Sequence, residues 1–183
     1  MSQRIIICGV SESGKSALAK HLTKGSPIPV FIRDPVGASD WPRCDALFSD
    51  SDELRVLLEK QKSAPCIALV DEGADFFTVG KKENHWIFTR GRHFGMLPIV
   101  VCHYVKAMAP IVRDQATDLY VFESSIETSK ILADSYNMPE LENAHELIQG
   151  EFFHVKRIDG KRTLTQHTLF RANNNANSKD LET

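Results

Sequence analysis

Residues 9–16, Gly9-Val10-Ser11-Glu12-Ser13-Gly14-Lys15-Ser16, hold the densest chemistry in the chain. They fit G-x-x-x-x-G-K-[ST], the phosphate-binding loop. A tight glycine turn points successive backbone N–H groups inward, and the start of a helix adds positive potential, so a polyphosphate is held. In that arrangement Lys15 reaches the β- and γ-phosphates as a point charge and Ser16 ligates Mg²⁺. Ala17 follows on the first helical turn. Residues 9–17 therefore form the candidate nucleotide-binding set, with ATP and Mg²⁺ as the implied ligands. A glycine-containing turn can match the pattern by chance, but here both flanks are the required ones. Ile5–Cys8 reads as a buried strand, and Ser16–Leu22 reads as a helix.

The second landmark is Cys66-Ile67-Ala68-Leu69-Val70-Asp71-Glu72, a continuous apolar run ending in two acids. A buried parallel strand has this pattern, and ligands sit at the carboxyl ends of such strands. Asp71 is thereby expected near the phosphates, supporting Mg²⁺ through water, and Glu72 is placed to polarise an attacking water. Taken alone, two acids after a strand equally well cap the next loop. Leu97–Cys102 is another buried strand and ends at His103, which either senses the γ-phosphate or its water, or is a hydrogen-bonded histidine at a strand end. Arg90 and Arg92 lie in a helix expected over 81–94. Two residues apart, they project from different faces, one to pair within the subunit and one to face a neighbour. A solvated basic helix end is the plainer account.

These residues need a scaffold of alternating strands and helices. Pro29–Ile32 reads as a second strand, 38–50 as irregular, and Asp50 or Ser51 as the cap of a helix over 52–62. Ala109–Asp114 starts a short helix with proline in its first turn, and Leu119–Phe122 is the fifth core strand. Ser124 or Ser125 caps a helix ending near Asn137-Met138-Pro139, and another spans 140–149 with Gly150 as its stop. Residues 151–158 and 163–170 alternate around Asp159-Gly160, a strong hairpin signal. The expected fold is α/β: a P-loop NTPase with a mostly parallel five-stranded core sheet flanked by helices, plus a C-terminal β-hairpin. One domain covers 1–171 (core 3–123, helices and hairpin 124–171), and the Asn/Ser-rich 172–183 reads as a disordered tail.

Bulk composition narrows the partners. The formal net charge is −2, so nucleic-acid contact requires a local basic patch or several copies focused on a channel. One such patch is 151–171, with five Lys/Arg against two acids. Of the four cysteines, at 8, 44, 66 and 102, none forms C-x-x-C, which argues against a zinc site or disulfide framework and suits a reducing compartment. Apolar runs fall far short of the ~20 residues of a membrane span. Met1–Arg4 leads straight into the first strand, so a cytosolic protein without a secretory leader is expected.

On Gly9–Ser16, Cys66–Glu72, Thr89-Arg90-Gly91-Arg92-His93 with Gly95, and the strand leading to His103, the chain resembles the FtsK–HerA superfamily of DNA-pumping ATPases. Within it, the chain is similar to the small genome-packaging ATPases of membrane-containing, double-jelly-roll viruses and phages. The resemblance covers about 3–123, and the Thr-Arg-Gly-Arg-His segment is its more specific element. It implies that the strand leading to His103 lies between the phosphate-loop strand and the acid-bearing strand. It implies a ring, a hexamer, around double-stranded DNA, acting in the host cytoplasm or at the virion vertex with capsid or portal proteins as further partners. It also implies an arginine supplied in trans, with Arg90 and Arg92 as candidates and Arg113 behind them. Such a cation is worth about 10³–10⁵ in rate in other NTPases. His103 stands where the superfamily often has an amide or hydroxyl. A small-molecule P-loop kinase is the alternative. Against it, Glu72 is a water-polarising acid that a kinase does not want. A membrane-bound phage-assembly ATPase and a non-catalytic nucleotide switch fit less well.

Overall fold

The computed structural model describes residues 3–37, 40–62 and 64–169. Their strands form one eight-stranded sheet: β1 (Ile5–Cys8), β2 (Val30–Arg33), β3 (Ala46–Phe48), β4 (Cys66–Val70), β5 (Met96–Cys102), β6 (Asp118–Phe122), β7 (Glu151–Ile158) and β8 (Lys161–Thr168), in the order β3-β2-β4-β5-β1-β6-β7-β8. The first six run parallel; β7 and β8 are antiparallel. As expected from the resemblance, β5 is inserted between β1 and β4, pairing Ile6 with Val100 and Leu69 with Ile99. Continuous apolar runs form these strands because both faces are covered.

On one face, α1 (Lys15–Thr23) packs Leu18 and Ala19 against Ile5, Ile7, Val101 and Phe122. The other face carries α2 (Ser51–Lys60), α3 (Gly73–Phe76), α4 (His85–Thr89), α5 (Pro110–Asp114) and α6 (Ile126–Tyr136). Its centre is Phe76, Phe77 and Phe88, fully buried and edge-to-face with ring centroids 4.8 and 5.9 Å apart. Asp50 caps α2 by accepting from Asp52 N, and Ser125 caps α6 by accepting from Thr128 N. No helix among the described residues is long and apolar enough to cross a membrane.

Three expectations are corrected. The stretch 38–50 contains β3, a short edge strand whose register is locked by reciprocal bonds between Val30 and Asp45. A three-residue strand has too few positions to show a period. The helix expected over 81–94 is broken into a 3₁₀ turn, α4 and a second 3₁₀ turn. Thr89 turns its hydroxyl back onto His85 O (2.9 Å), which bends helices, and Arg90 leaves helical geometry at φ −120°. The helix expected over 140–149 is a 3₁₀ segment, Pro139–Glu146. The hairpin forms as expected, with β7 covering the β6 edge, although Phe170 and the tail lie outside the described residues.

Phe77→Ala removes the middle ring of the aromatic cluster. Its expected cost is about 3–5 kcal/mol, read by urea unfolding with an unchanged slope; a loss below about 1 kcal/mol contradicts the packing described.

Candidate functional site

At the carboxyl ends of β1, β4 and β5, three side chains form a line. Lys15 Nζ donates to Val10 O (2.5 Å) and lies 3.3 Å from His103 Nδ1. His103 Nε2 lies 3.1 Å from Glu72 Oε1. The ammonium can only donate, so Nδ1 accepts and the ring proton sits on Nε2, facing the Glu72 carboxylate. Lys15 is only 5% exposed. Burial lowers the proton affinity of its ammonium; the neighbouring Glu72 and Asp71 oppose this. The thiols of Cys8 and Cys102 flank it and stay neutral, because burial pushes both up, Cys102 to about 12.

The loop itself is built to receive an anion. Gly14 adopts φ +115°, where a side chain is strained. The N–H groups from Ser11 to Ser16 have no hydrogen-bond acceptor among the described residues, and they precede or open α1. Val10 N is tied to Glu123 O at 2.7 Å, and Ser13 Oγ donates to Val10 O, so the loop is held from its inner side. Val10, Ser11, His103, Tyr104 and Ser125 line a cavity of about 490 Å³ beside it. These observations fit a bound polyphosphate. They also fit Mg²⁺, which needs few protein ligands beyond phosphate oxygens and water; Ser16 on α1 and Asp71 at the β4 end are the groups that would hold it.

Asp71 follows β4, and its Oδ1 accepts from Glu72 N at 3.0 Å. Burial raises its pKa, Glu72 N–H opposes that, and nearby Asp34 adds to it. Glu72 stands at φ +50°, at the start of α3. Its position depends on Gly73, where an added Cβ meets Val100 Cγ1 of β5, so only glycine lets the turn sit so close to the sheet. Arg33, at the end of β2, donates to Asp71 O (2.9 Å) and Glu72 O (3.3 Å), clamping this turn from the other side. Sequence reasoning missed Arg33 and Asp34. The available signal was their place at the end of an apolar strand, followed by proline.

The hairpin also reaches the loop, which sequence reasoning did not foresee. Gly150 N donates to Ser13 O (3.0 Å), Gln149 Nε2 donates to Glu12 O (3.0 Å), and Leu169 lies against Gly14.

Arg90 and Arg92 are not at this site. Both are exposed and lie before the start of β5, so the length of that strand, roughly 20 Å, separates them from His103. They face different cavities, Arg90 with Lys62, Trp86 and Phe94, and Arg92 with Arg4 and Arg157. Arg113 is engaged within its own subunit, donating to Val105 O at 2.9 Å.

With this geometry in place, the solved structures it is similar to are informative. The genome-packaging NTPase B204 from Sulfolobus turreted icosahedral virus 2, in complex with sulfate, superposes with TM-score 0.78 and 20% identity, over 93% of this chain and 98% of that one. The chain shares the B204 fold. The B204 complex with AMPPCP gives TM-score 0.75 and 19% identity, over 89% of this chain and 96% of that one. ATPases 2 and 3 of Thermomonospora curvata EccC, bound to a signal sequence peptide, give 0.65 and 16%, over 93% of this chain and 37% of that one. The expected α/β P-loop NTPase fold, with its mostly parallel central sheet, is therefore present. No protein-family model and no curated protein sequence matches the chain.

Lys15→Ala is expected to abolish ATP binding in a calorimetric titration. Glu72→Gln should bind ATP normally and lose about 10²–10⁴-fold in turnover. His103→Ala should lose less than Glu72→Gln and keep its ATP affinity. Normal turnover by Glu72→Gln removes that residue as the base.

Proposed function

We infer that the protein is a genome-packaging ATPase, a ring-forming motor that couples Mg-ATP hydrolysis to movement of double-stranded DNA into a preformed capsid. The observation that carries this reading is the Lys15–His103–Glu72 line within a B204-like fold.

The chemistry follows from the chain's own groups. The N–H groups of Ser11–Ser16 bind the phosphates, and Lys15 leaves Val10 O to meet them. Ser16, with Asp71 through water, would hold Mg²⁺, which when bound would add positive charge beside the phosphate oxygens. Glu72 orients and deprotonates the attacking water in line with the γ-phosphate. His103 Nε2–H fixes the carboxylate for that task. When Lys15 turns to the nucleotide, His103 Nδ1 loses its donor, so nucleotide occupancy and the setting of Glu72 are linked through one imidazole. A water-polarising acid held this way favours hydrolysis over transfer to a small acceptor.

The ring supplies the missing cation. The amino edge, bearing Arg90 and Arg92, and the carboxyl edge, bearing the phosphate loop, are different surfaces. Contact between them across two copies is head-to-tail and closes a ring when the rotation permits. One arginine of each copy then reaches its neighbour's γ-phosphate, and a hexamer fits this arrangement. The basic hairpin adds a surface for DNA or for a capsid protein.

Steady-state hydrolysis of Mg-ATP across protein concentration, with and without long double-stranded DNA, tests the reading. Turnover per subunit is expected to climb steeply with protein concentration and further with DNA. Turnover indifferent to both removes the motor. Mixing Arg90→Ala or Arg92→Ala protein with Lys15→Ala protein is expected to restore part of the lost activity for at least one arginine; failure of both mixtures removes the trans cation.

A further inference from the structure

The amino edge holds a second concentration of charge, at the opposite end of the sheet from the phosphate loop of its own copy. Arg4, Arg92 and Arg157 line one recess of about 400 Å³, together with Gln115, Thr117 and Asp159. Arg4 precedes β1, Arg92 precedes β5 and Arg157 lies near the end of β7, so three separate parts of the sheet bring these guanidiniums together. Arg4 is 7% exposed, and its Nε and Nη1 are buried without a hydrogen-bond partner among the described residues. Among those residues no ion pair involves Arg4, Arg92 or Arg157. Arg92 Nε reaches only His93 Nε2, at 3.4 Å. Thr117 Oγ1 is already engaged, accepting from Arg4 N and donating to Asp118 Oδ2.

Buried guanidinium N–H groups without a partner are costly, and two like charges beside them raise that cost. Burial, then Arg92, then Arg157 hold the Arg4 pKa below its usual range. One carboxylate, Asp159 in the turn after β7, does not balance three cations.

We propose that this recess binds a terminal phosphoryl group, with Arg4 at its base and Arg92 and Arg157 at its walls. The depth of Arg4 selects the ligand. A terminal phosphoryl is dianionic, presents three oxygens and enters end-on, matching guanidinium forks from several directions. A backbone phosphodiester carries one charge between two sugars and cannot reach a recessed base. A carboxylate offers one charge and two oxygens.

The phosphoryl group has two sources. It is either free, as inorganic phosphate or pyrophosphate, or it is carried on the nucleotide of a second copy whose carboxyl edge meets this one. The second source rests on the ring reading above; the first does not. In the ring case, Arg4 and Arg157 are positioning groups that hold the neighbour's phosphates beside Arg92.

The test uses the full chain carrying Lys15→Ala, which silences the phosphate loop. Thermal unfolding is followed in sodium pyrophosphate against sodium chloride and sodium acetate at matched ionic strength. The expected rise over both controls is about 3–6 °C at ten times the dissociation constant. Arg4→Met and Arg157→Gln, each added to Lys15→Ala, are expected to lose most of that rise. Arg157 is exposed, so its replacement tests the site without disturbing the core. A rise that persists in both variants, that acetate matches, or that is absent from the parent overturns the site. Sedimentation of chains with an intact phosphate loop, with a non-hydrolysable ATP analogue, then separates the sources. Association lost with Arg4→Met assigns the group to a neighbour's nucleotide. Association indifferent to Arg4→Met, or absent altogether, assigns it to free phosphate, with the pyrophosphate result standing by itself.

Discussion

Lys15 carries its ammonium into a position where the residue is only 5% exposed, and a cation there must be compensated. Val10 O and His103 Nδ1 accept hydrogen bonds from it, and Glu72 and Asp71 supply the nearby negative charge. Both thiols beside it are neutral, so they cannot serve as counter-ions. A polyphosphate in the loop offers a stronger partner than any of these. A nucleotide bound there would therefore also rearrange the charges around Lys15.

The sheet order makes that rearrangement available to the base. Because β5 lies between β1 and β4, the residue after β5 stands between the phosphate loop and the residue after β4. His103 therefore bridges Lys15 and Glu72, which are 57 positions apart in sequence. Gly73 against Val100 and Arg33 on the carbonyls of Asp71 and Glu72 hold the acid-bearing turn in place. On the other side, Gln149, Gly150 and Leu169 brace Glu12, Ser13 and Gly14. The hairpin both covers the β6 edge, a liability if left open, and steadies the loop.

Much of this was legible in the sequence because it is local. The phosphate loop is one short stretch with fixed spacing, and the strands at 5–8, 66–70 and 96–102 are continuous apolar runs. Their order came from the resemblance. What was not legible depends on contacts between distant segments. Arg33 and Asp34 stand at the end of the second strand with no motif to mark them, yet both are buried at the site. Gln149 and Leu169 gave no sign of touching a loop more than a hundred residues earlier. The break at Arg90 depends on a side-chain hydroxyl bond and on Gly91 packing against Met96, and a helical period does not register either. Arg4 stands directly before the first strand, and nothing near it in sequence announces Arg92 and Arg157.

The central claim is that water, set by Glu72, attacks the γ-phosphate held over Lys15. Single-turnover cleavage of Mg-ATP in ¹⁸O-labelled water, with mass analysis of the first phosphate released, tests it most directly. The account predicts inorganic phosphate carrying one solvent oxygen, formed without any added acceptor and nearly absent from Glu72→Gln protein that still binds ATP. Cleavage that requires a small hydroxyl acceptor, leaves the phosphoryl group on it and is unaffected by Glu72→Gln contradicts the account.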